Sequence, residues 1–234
     1  MMAGSGSPKL DFPANDWRAV CTADGSFTLD SASLGEHYHS AFGALTESLH
    51  VYMGHGLRSL PQRRIDILEV GLGTGLNALL SWHEAEAGSK EVRYCALEPF
   101  PVPESLWTSL DHPGAMGLRE LEPGYRRIMS AAPGEPITLS GHYSFQFLPQ
   151  RVQSLDATES FDLVFHDAFA PGVQPEMWNL DVFRKLFRAL RAGGVLVTYC
   201  SKGEVRRTMV HAGFRVERLP GPPGKREMLR AVKL

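Results

Sequence analysis

Three glycines at alternate positions, Gly71, Gly73 and Gly75, join two apolar stretches within residues 65–80, IDILEVGLGTGLNALL. Ile65, Ile67, Leu68 and Val70 read as a buried strand, and a helix is expected to begin near Asn77. A strand that turns on glycines into a helix aims backbone N–H groups beyond its own end and lets a ligand approach the main chain closely. Binding of a nucleotide-like cofactor is the chemistry such a turn supports. The spacing is GxGxG, without the later glycine that seats a helix under a pyrophosphate in GxGxxG. It favours S-adenosylmethionine (SAM), which carries no phosphate, over a dinucleotide.

Residues 163–178, LVFHDAFAPGVQPEMW, put Asp167, Phe169 and Pro171 just after another apolar strand. Methyl transfer is an in-line displacement at carbon, and an amine acceptor must arrive neutral with its lone pair aimed at the methyl. A carboxylate at that point can hold the nitrogen, balance the charge that develops on it and take its proton. Asp167 suits that role, with a helix or turn cap as the plain alternative. Phe169 and Trp178 could exclude water or face a cation, and Trp178 fits a core anchor equally well.

Other polar residues stand where they could join these two. Glu98 ends a third apolar run, 27 residues after Gly71, where a carboxylate can accept from both hydroxyls of a ribose. Asn77 suits either the methionine end of the cofactor or a helix cap. Glu36, His37, Tyr38 and His39 fall on a turn before a helix; they form a polar junction or, if the N-terminal region folds over the strand ends, touch substrate. His37 and His39 have no third ligand at metal spacing, so no metal is expected. No serine nucleophile elbow, phosphate loop or zinc-deaminase signature occurs.

These residues need strands and helices to carry them. Strands are expected at 65–70, 92–97, 143–148, 161–165 and 194–199, with a helix over 180–191 stopped by Gly193–Gly194. Two short runs, 214–219 and 227–232, separated by GPPGKR, suggest an antiparallel pair closing the sheet. Such alternation implies a parallel, doubly wound α/β sheet. Residues 1–62 differ in composition: TADGSFTL reads as a hairpin, and Phe42, Leu45, Leu49 and Tyr52 keep helical spacing, which together suggest an N-terminal cap. Residues 63–234 are then the catalytic domain, and 99–142, rich in proline, an insertion placed to contribute to the substrate side.

Composition sets the limits. The 234 residues, 43% hydrophobic and 21% charged, can bury one full core. No apolar run has membrane-spanning length and the first ten residues lack a signal-peptide pattern, so a cytoplasmic protein without membrane contact is expected. Cys21, Cys95 and Cys200 are far apart with no CxxC and are expected to be buried thiols. Residues 1–180 hold 11 Lys+Arg against 22 Asp+Glu, whereas 181–234 hold 13 against 4. A basic C-terminal third can offer a positive face to phosphates, or be only a solvated helix face and tail.

The segments LEVGLGTGLNALL, EHYHS, DAFAPGVQPEMW, GGVLVTYCSKGEVRR and AGFRVERLPGPPGKREMLRA, with DGSFTL near the start, resemble the SAM-dependent methyltransferase domain of the MnmC family of tRNA wobble-uridine enzymes. The likeness is greatest to its free-standing, MnmD-like form without a flavin half, and it spans residues 22–231. It implies a Rossmann-like class I methyltransferase fold: a mostly parallel seven-stranded sheet with an antiparallel C-terminal strand. It also implies methylation of the 5-aminomethyl group of uridine or 2-thiouridine 34, with the tRNA anticodon loop as partner and the aminomethyl base supplied by another route. By that resemblance Glu69, Gly71, Gly73, Thr74, Gly75, Asn77, Glu98 and Asp167 line the cofactor, and Asp167 is catalytic. Glu36, His37, Tyr38, His39, Phe169, Pro171, Lys225 and Arg226 would lie toward the substrate. A small-molecule amine methyl- or aminopropyltransferase is the alternative. One departure stands out: the acidic residue that commonly follows the third strand to meet adenine is replaced by Leu148-Pro149-Gln150-Arg151, with Asp156 a distant substitute.

Overall fold

The computed structural model describes residues 16–31, 35–88 and 90–234. Strands β1 (Trp17–Cys21), β2 (Phe27–Ser31) and β3 (Glu36–His37) form a small antiparallel sheet. The turn between β1 and β2 is tied by Asp24, which accepts from the Ser26 amide at 3.0 Å and from the Thr22 hydroxyl at 2.8 Å, an Asx-type turn at the expected Asp24–Gly25 tip. Glu36 and His37 thus sit on an edge strand, not on a turn. Residues 35–43 are not helical, so the helical spacing read from Phe42 onward takes effect only from Ala44. It forms α1 (Ala44–Ser48), continuing into a π-helical turn, Leu49–Gly54.

The main sheet is built from β4 (Arg64–Val70), β5 (Glu91–Leu97), β6 (Ile137–Thr138), β7 (Tyr143–Leu148), β8 (Phe161–His166), β9 (Leu190–Thr198), β10 (Arg215–Pro220) and β11 (Glu227–Val232). Its spatial order is β10-β11-β9-β8-β4-β5-β7-β6. Strands β7, β5, β4, β8 and β9 are mutually parallel, β11 runs against β9, and β10 turns back again. The seven expected strands are all present. An eighth, the two-residue β6, adds antiparallel to β7 at one edge. Its two residues, Ile137 and Thr138, are too few to give a periodic signal.

Successive side chains of β4 enter opposite cores: Ile65 and Ile67 pack with α1, the π turn and α2 (Leu76–Gly88), while Leu68 and Val70 pack with α6 (Leu180–Ala189) and α7 (Gly203–His211). Val51, Tyr52, Met53 and Leu57 of the N-terminal region are fully buried in the first of these cores. The stretch after β5 holds α3 (Glu104–Trp107), α4 (His112–Ala115) and α5 (Glu122–Met129), and its Val102, Trp107, Leu110 and Tyr125 share a third core with Trp17 and Leu29 of the hairpin.

One boundary differs in kind from its expectation. Helix α6 ends at Ala189, and Gly193–Gly194 lie inside β9 without capping the helix. The register against β8 jumps there, from Phe161↔Leu190 to Leu163↔Val195, and Gly193 takes φ +76° while its amide donates to Lys233. A bulge needs a residue free of Cβ at such an angle, so this glycine pair bends a strand. The cysteines also vary: Cys200 is buried, Cys95 half-buried and Cys21 exposed on the edge hairpin.

Candidate active site

At the carboxyl ends of β4, β5 and β8 the chain opens into a cleft of about 810 Å³, measured to its open mouth. Val70, Gly71 and Gly73 form its floor, Leu97, Glu98 and Phe100 one side, and Asp167, Phe169 and Tyr199 the other. The hairpin sheet closes the top with His37, Tyr38 and His39.

The glycine turn is shaped by its neighbours. Gly71 has φ +92°, and a Cβ there would stand 2.7 Å from the Asp167 carbonyl oxygen, so the two strand ends can meet only through glycine. A Cβ at Gly73 would press on the Tyr38 ring at 3.0 Å, and one at Gly75 would run into Met129 Sδ. Only Gly71 and Gly73 border the cleft. Thr74 faces the other way: its hydroxyl pairs with His112 Nε2 at 3.0 Å and its carbonyl accepts from Tyr125 at 2.8 Å. The insertion therefore braces the turn from behind and adds Pro99 and Phe100 to the cleft.

Glu98 is held by backbone. Its Oε2 accepts from the Gly73 amide at 3.2 Å and its Oε1 from the Phe100 amide at 2.9 Å. Burial pushes its carboxyl up to about 7 against those donors. Each oxygen keeps a lone pair after one N–H, so a pair of hydroxyl donors suits it. A nucleoside with a free ribose diol, as in SAM, meets that requirement.

Asp167 is held by side chains. Asn77 Nδ2 donates to its Oδ2 at 2.8 Å and also to Glu69 Oε1 at 3.0 Å, so Asn77 is neither a cap nor a cleft-lining residue. Tyr52, from the π turn, lies beside the same carboxyl. Burial raises the Asp167 carboxyl to about 7, aided by the charge of Glu47, while Tyr52, Asn77 and Lys225 oppose the rise. Lys225 lies 4.1 Å over the Tyr199 ring and is ion-paired with Glu47, a buried carboxylate that also accepts from the Ser40 amide at 3.2 Å.

The remaining expected residues divide. Trp17, Tyr38 and Phe169 form an aromatic cluster with ring centroids 4.9 to 6.0 Å apart; Tyr38 and Phe169 line the cleft, and the buried Trp17 backs them. His39 is hydrogen-bonded to the Thr28 hydroxyl at 3.2 Å and held down to about 4 by burial, so it is a neutral ring. His37 lies 3.2 Å from Asp30. The Glu36 backbone pairs with Ser31. Pro171 and Arg226 do not border the cleft, and Arg226 is exposed on the β10–β11 turn. Trp178 is the core anchor of its two alternatives, buried against His166 with its Nε1 donating to the Phe169 carbonyl at 2.8 Å. Asp156 pairs with Arg188 at 2.7 Å, away from the cleft, while Gln150 and Arg151 border it and Arg151 lies 5.0 Å over Phe100. Sequence reasoning passed over Tyr52, Glu47, Tyr199, Gln150 and Arg151. Tyr199 follows the end of a central strand, the one available signal.

Among the described residues no helix is long and apolar enough to cross a membrane, and no group of three or more His, Cys, Asp or Glu could hold a metal.

Residues 145–234 match the family of S-adenosyl-L-methionine-dependent methyltransferases. That match, on a sheet of this order with a glycine turn at its centre, defines the class: the protein is a SAM-dependent methyltransferase with a Rossmann-like fold. Within it the chain is of the MnmC type. It is 36% identical over 219 residues to the tRNA 5-methylaminomethyl-2-thiouridine biosynthesis bifunctional protein MnmC of Ectopseudomonas mendocina, covering 85% of this chain and 32% of that protein. The protein of the same name from Stutzerimonas stutzeri is 32% identical, covering 94% of this chain and 36% of the relative. The chain thus spans about a third of the length of the curated relatives it matches. Among solved structures, MNMC2 from Aquifex aeolicus superposes with TM-score 0.73 at 27% identity, covering 92% of this chain and 70% of that one. A probable spermidine synthase from Corynebacterium glutamicum shares the fold alone, at TM-score 0.51 and 15% identity, covering 92% of this chain and 76% of that one.

Proposed function

We propose that this chain transfers a methyl group from SAM to the primary amine of 5-aminomethyluridine, or its 2-thio form, at tRNA position 34, giving 5-methylaminomethyluridine. The observation that carries the reading is Asp167, a carboxylate at the cleft end of β8 across from the glycine turn, and the relatives named for 5-methylaminomethyl-2-thiouridine biosynthesis support it.

When bound, SAM supplies an electrophilic methyl on a sulfonium. Glu98 accepts from the ribose hydroxyls, Gly71 and Gly73 form the seat for the rest, and Thr74, Gly75, Asn77 and Glu69 support that seat from behind without bordering the cleft. An alkylamine arrives largely as an ammonium ion and must lose a proton before its lone pair can act. Asp167 takes that proton and keeps the nitrogen oriented; near pH 7 it is divided between its two forms, the range in which a general base is most effective. Asp167 borders the open cleft and passes that proton on to solvent; ionised again, it is placed to balance the positive charge the nitrogen gains when it takes the methyl. Tyr38 and Phe169, backed by Trp17, exclude water and offer an aromatic wall to the uracil ring.

The N-terminal region, residues 1–62, acts as a cap over a catalytic domain of residues 63–234, and the insertion 99–142 stiffens the cofactor side. His37, Tyr38, His39 and Phe169 line the substrate side, Lys225 backs it through Tyr199, and Glu36, Pro171 and Arg226 lie outside the cleft, where they would meet only a substrate as large as the anticodon loop, with the basic stretch 181–234 meeting its phosphates in the cytoplasm. Incubation with methyl-labelled SAM and either tRNA bearing unmethylated aminomethyluridine or free polyamines tests the reading. Label in 5-methylaminomethyluridine is expected; label confined to polyamines would replace it with a small-amine transferase.

A further inference from the structure

Behind the cleft wall two carboxyl groups share one amide. Asn77 is 3% exposed and Glu69, near the end of β4, is 0% exposed. The two N–H bonds of the Asn77 amide are both used, one on Glu69 Oε1 at 3.0 Å and one on Asp167 Oδ2 at 2.8 Å. Five further groups face this pair: Tyr94 of β5 and Tyr143 of β7 beside Glu69, and Tyr52 of the π turn, Glu47 of α1 and Lys225 of the β10–β11 turn around Asp167. Glu98, just after β5, lies beyond Glu69. Among these groups the cation is Lys225, and it is already engaged by Glu47 and the Tyr199 face. Two negative charges around one neutral amide, with no cation of their own, are strongly disfavoured away from water. Asp167 reaches the cleft and its water, whereas Glu69 does not.

Two more atoms decide which carboxyl gives way. Glu69 Oε2 and Asn77 Oδ1 are both buried with no close hydrogen-bond partner among the described residues; the buried Tyr94 hydroxyl beside Glu69 is a neutral donor that favours its ionised form but does not offset two charges. Both are acceptors while Glu69 is charged. A proton on Glu69 Oε2 turns one of them into a donor and removes the charge repulsion in the same step. We infer that Glu69 is the permanently protonated member of the pair, and that Asn77 is the positioning residue that locks Oδ2 of Asp167, leaving Oδ1 to meet the acceptor amine. The inference rests on the reading of Asp167 as the amine's partner for its consequence, but the protonation of Glu69 stands or falls independently of any RNA.

The apportioning of charge can be read directly. In infrared spectra of the purified protein at pH 9, a carbonyl band of an un-ionised carboxyl group is expected, and Glu69→Gln should remove it. Carboxyl-carbon NMR should show the Asp167 titration unmoved by Glu69→Gln, since one neutral group replaces another. In Asn77→Ala the same titration should move up by about one pH unit, because the ionised form loses a donor. The acid limb of kcat/KM for tRNA should move with it while KM stays near the wild-type value. Should Asn77→Ala fail to fold, Asn77→Ser keeps the size polar and is expected to shift the titration in the same direction. Absence of the un-ionised band, or a downward shift of the Asp167 titration in Glu69→Gln, would show Glu69 to be charged and overturn the inference. If the wild-type protein methylates no tRNA yet shows the band, the functional reading fails and the carboxyl pair stands.

Discussion

The two halves of the cleft are built by different means. On the β4–β5 side the elements are local: a glycine turn, the next strand end, and a carboxylate, Glu98, fixed by two backbone amides. On the β8 side Asp167 is fixed by Asn77, 90 residues away in sequence, with Tyr52, Glu47 and Lys225 brought in from the N-terminal region and the last hairpin. Main-chain donors suit a cofactor that never varies. A side-chain cage suits an acceptor, because its charge and rotamer can be tuned by groups that do not touch the substrate.

The difference is open to breakage on the side-chain half first. Asp167→Ala should lower kcat/KM for tRNA by about 10²- to 10⁴-fold, the usual share of general acid–base help, with S-adenosylhomocysteine affinity within a few-fold by calorimetry. Asp167→Asn should raise the melting temperature of the ligand-free protein at pH 8. A carboxyl whose folded pKa is raised to about 7 costs stability as pH climbs through that value, and the amide escapes it. No gain in melting temperature would mean that Asp167 is better solvated than its surroundings imply.

On the backbone half, Glu98→Gln should weaken S-adenosylhomocysteine binding about 10- to 100-fold, the loss of charge-assisted hydrogen bonds. Wild-type affinity should fall as pH drops below about 7, where Glu98 takes a proton, and the variant should lose that dependence. Gly71→Ala should cost about 1–3 kcal/mol in stability or cofactor binding, since an L-residue is strained at φ +92° and its methyl meets the Asp167 carbonyl. Asp156→Asn should change cofactor affinity by no more than about 0.5 kcal/mol, as for a surface substitution.

The same contrast explains what the amino-acid order reveals unaided. The glycine turn, Glu98 and the strand ends lie in short windows where apolar runs and turn residues announce themselves, and the five parallel strands follow from them. Asp167 is legible as a polar residue after a buried strand. Its environment is not, because Tyr52 and Glu47 sit in a helical pattern that reads as core, and only the fold turns their tips toward β8. Gly193–Gly194 misled for a related reason: a glycine pair after a helix looks like a stop, and the bulge that uses it exists only once β8 lies alongside. Gln150 and Arg151 follow the end of an expected strand, which is a legible position, but their residue types gave no role, and the place of Arg151 over Phe100 depends on β7 pairing with β5.

The most direct test of the account is a crystal structure with sinefungin, whose amine takes the place of the transferable methyl. Ribose hydroxyls on Glu98 and the amine directed to Asp167 are the expected result. A cofactor seated with its amine facing away from Asp167, or bound outside the cleft, would contradict it.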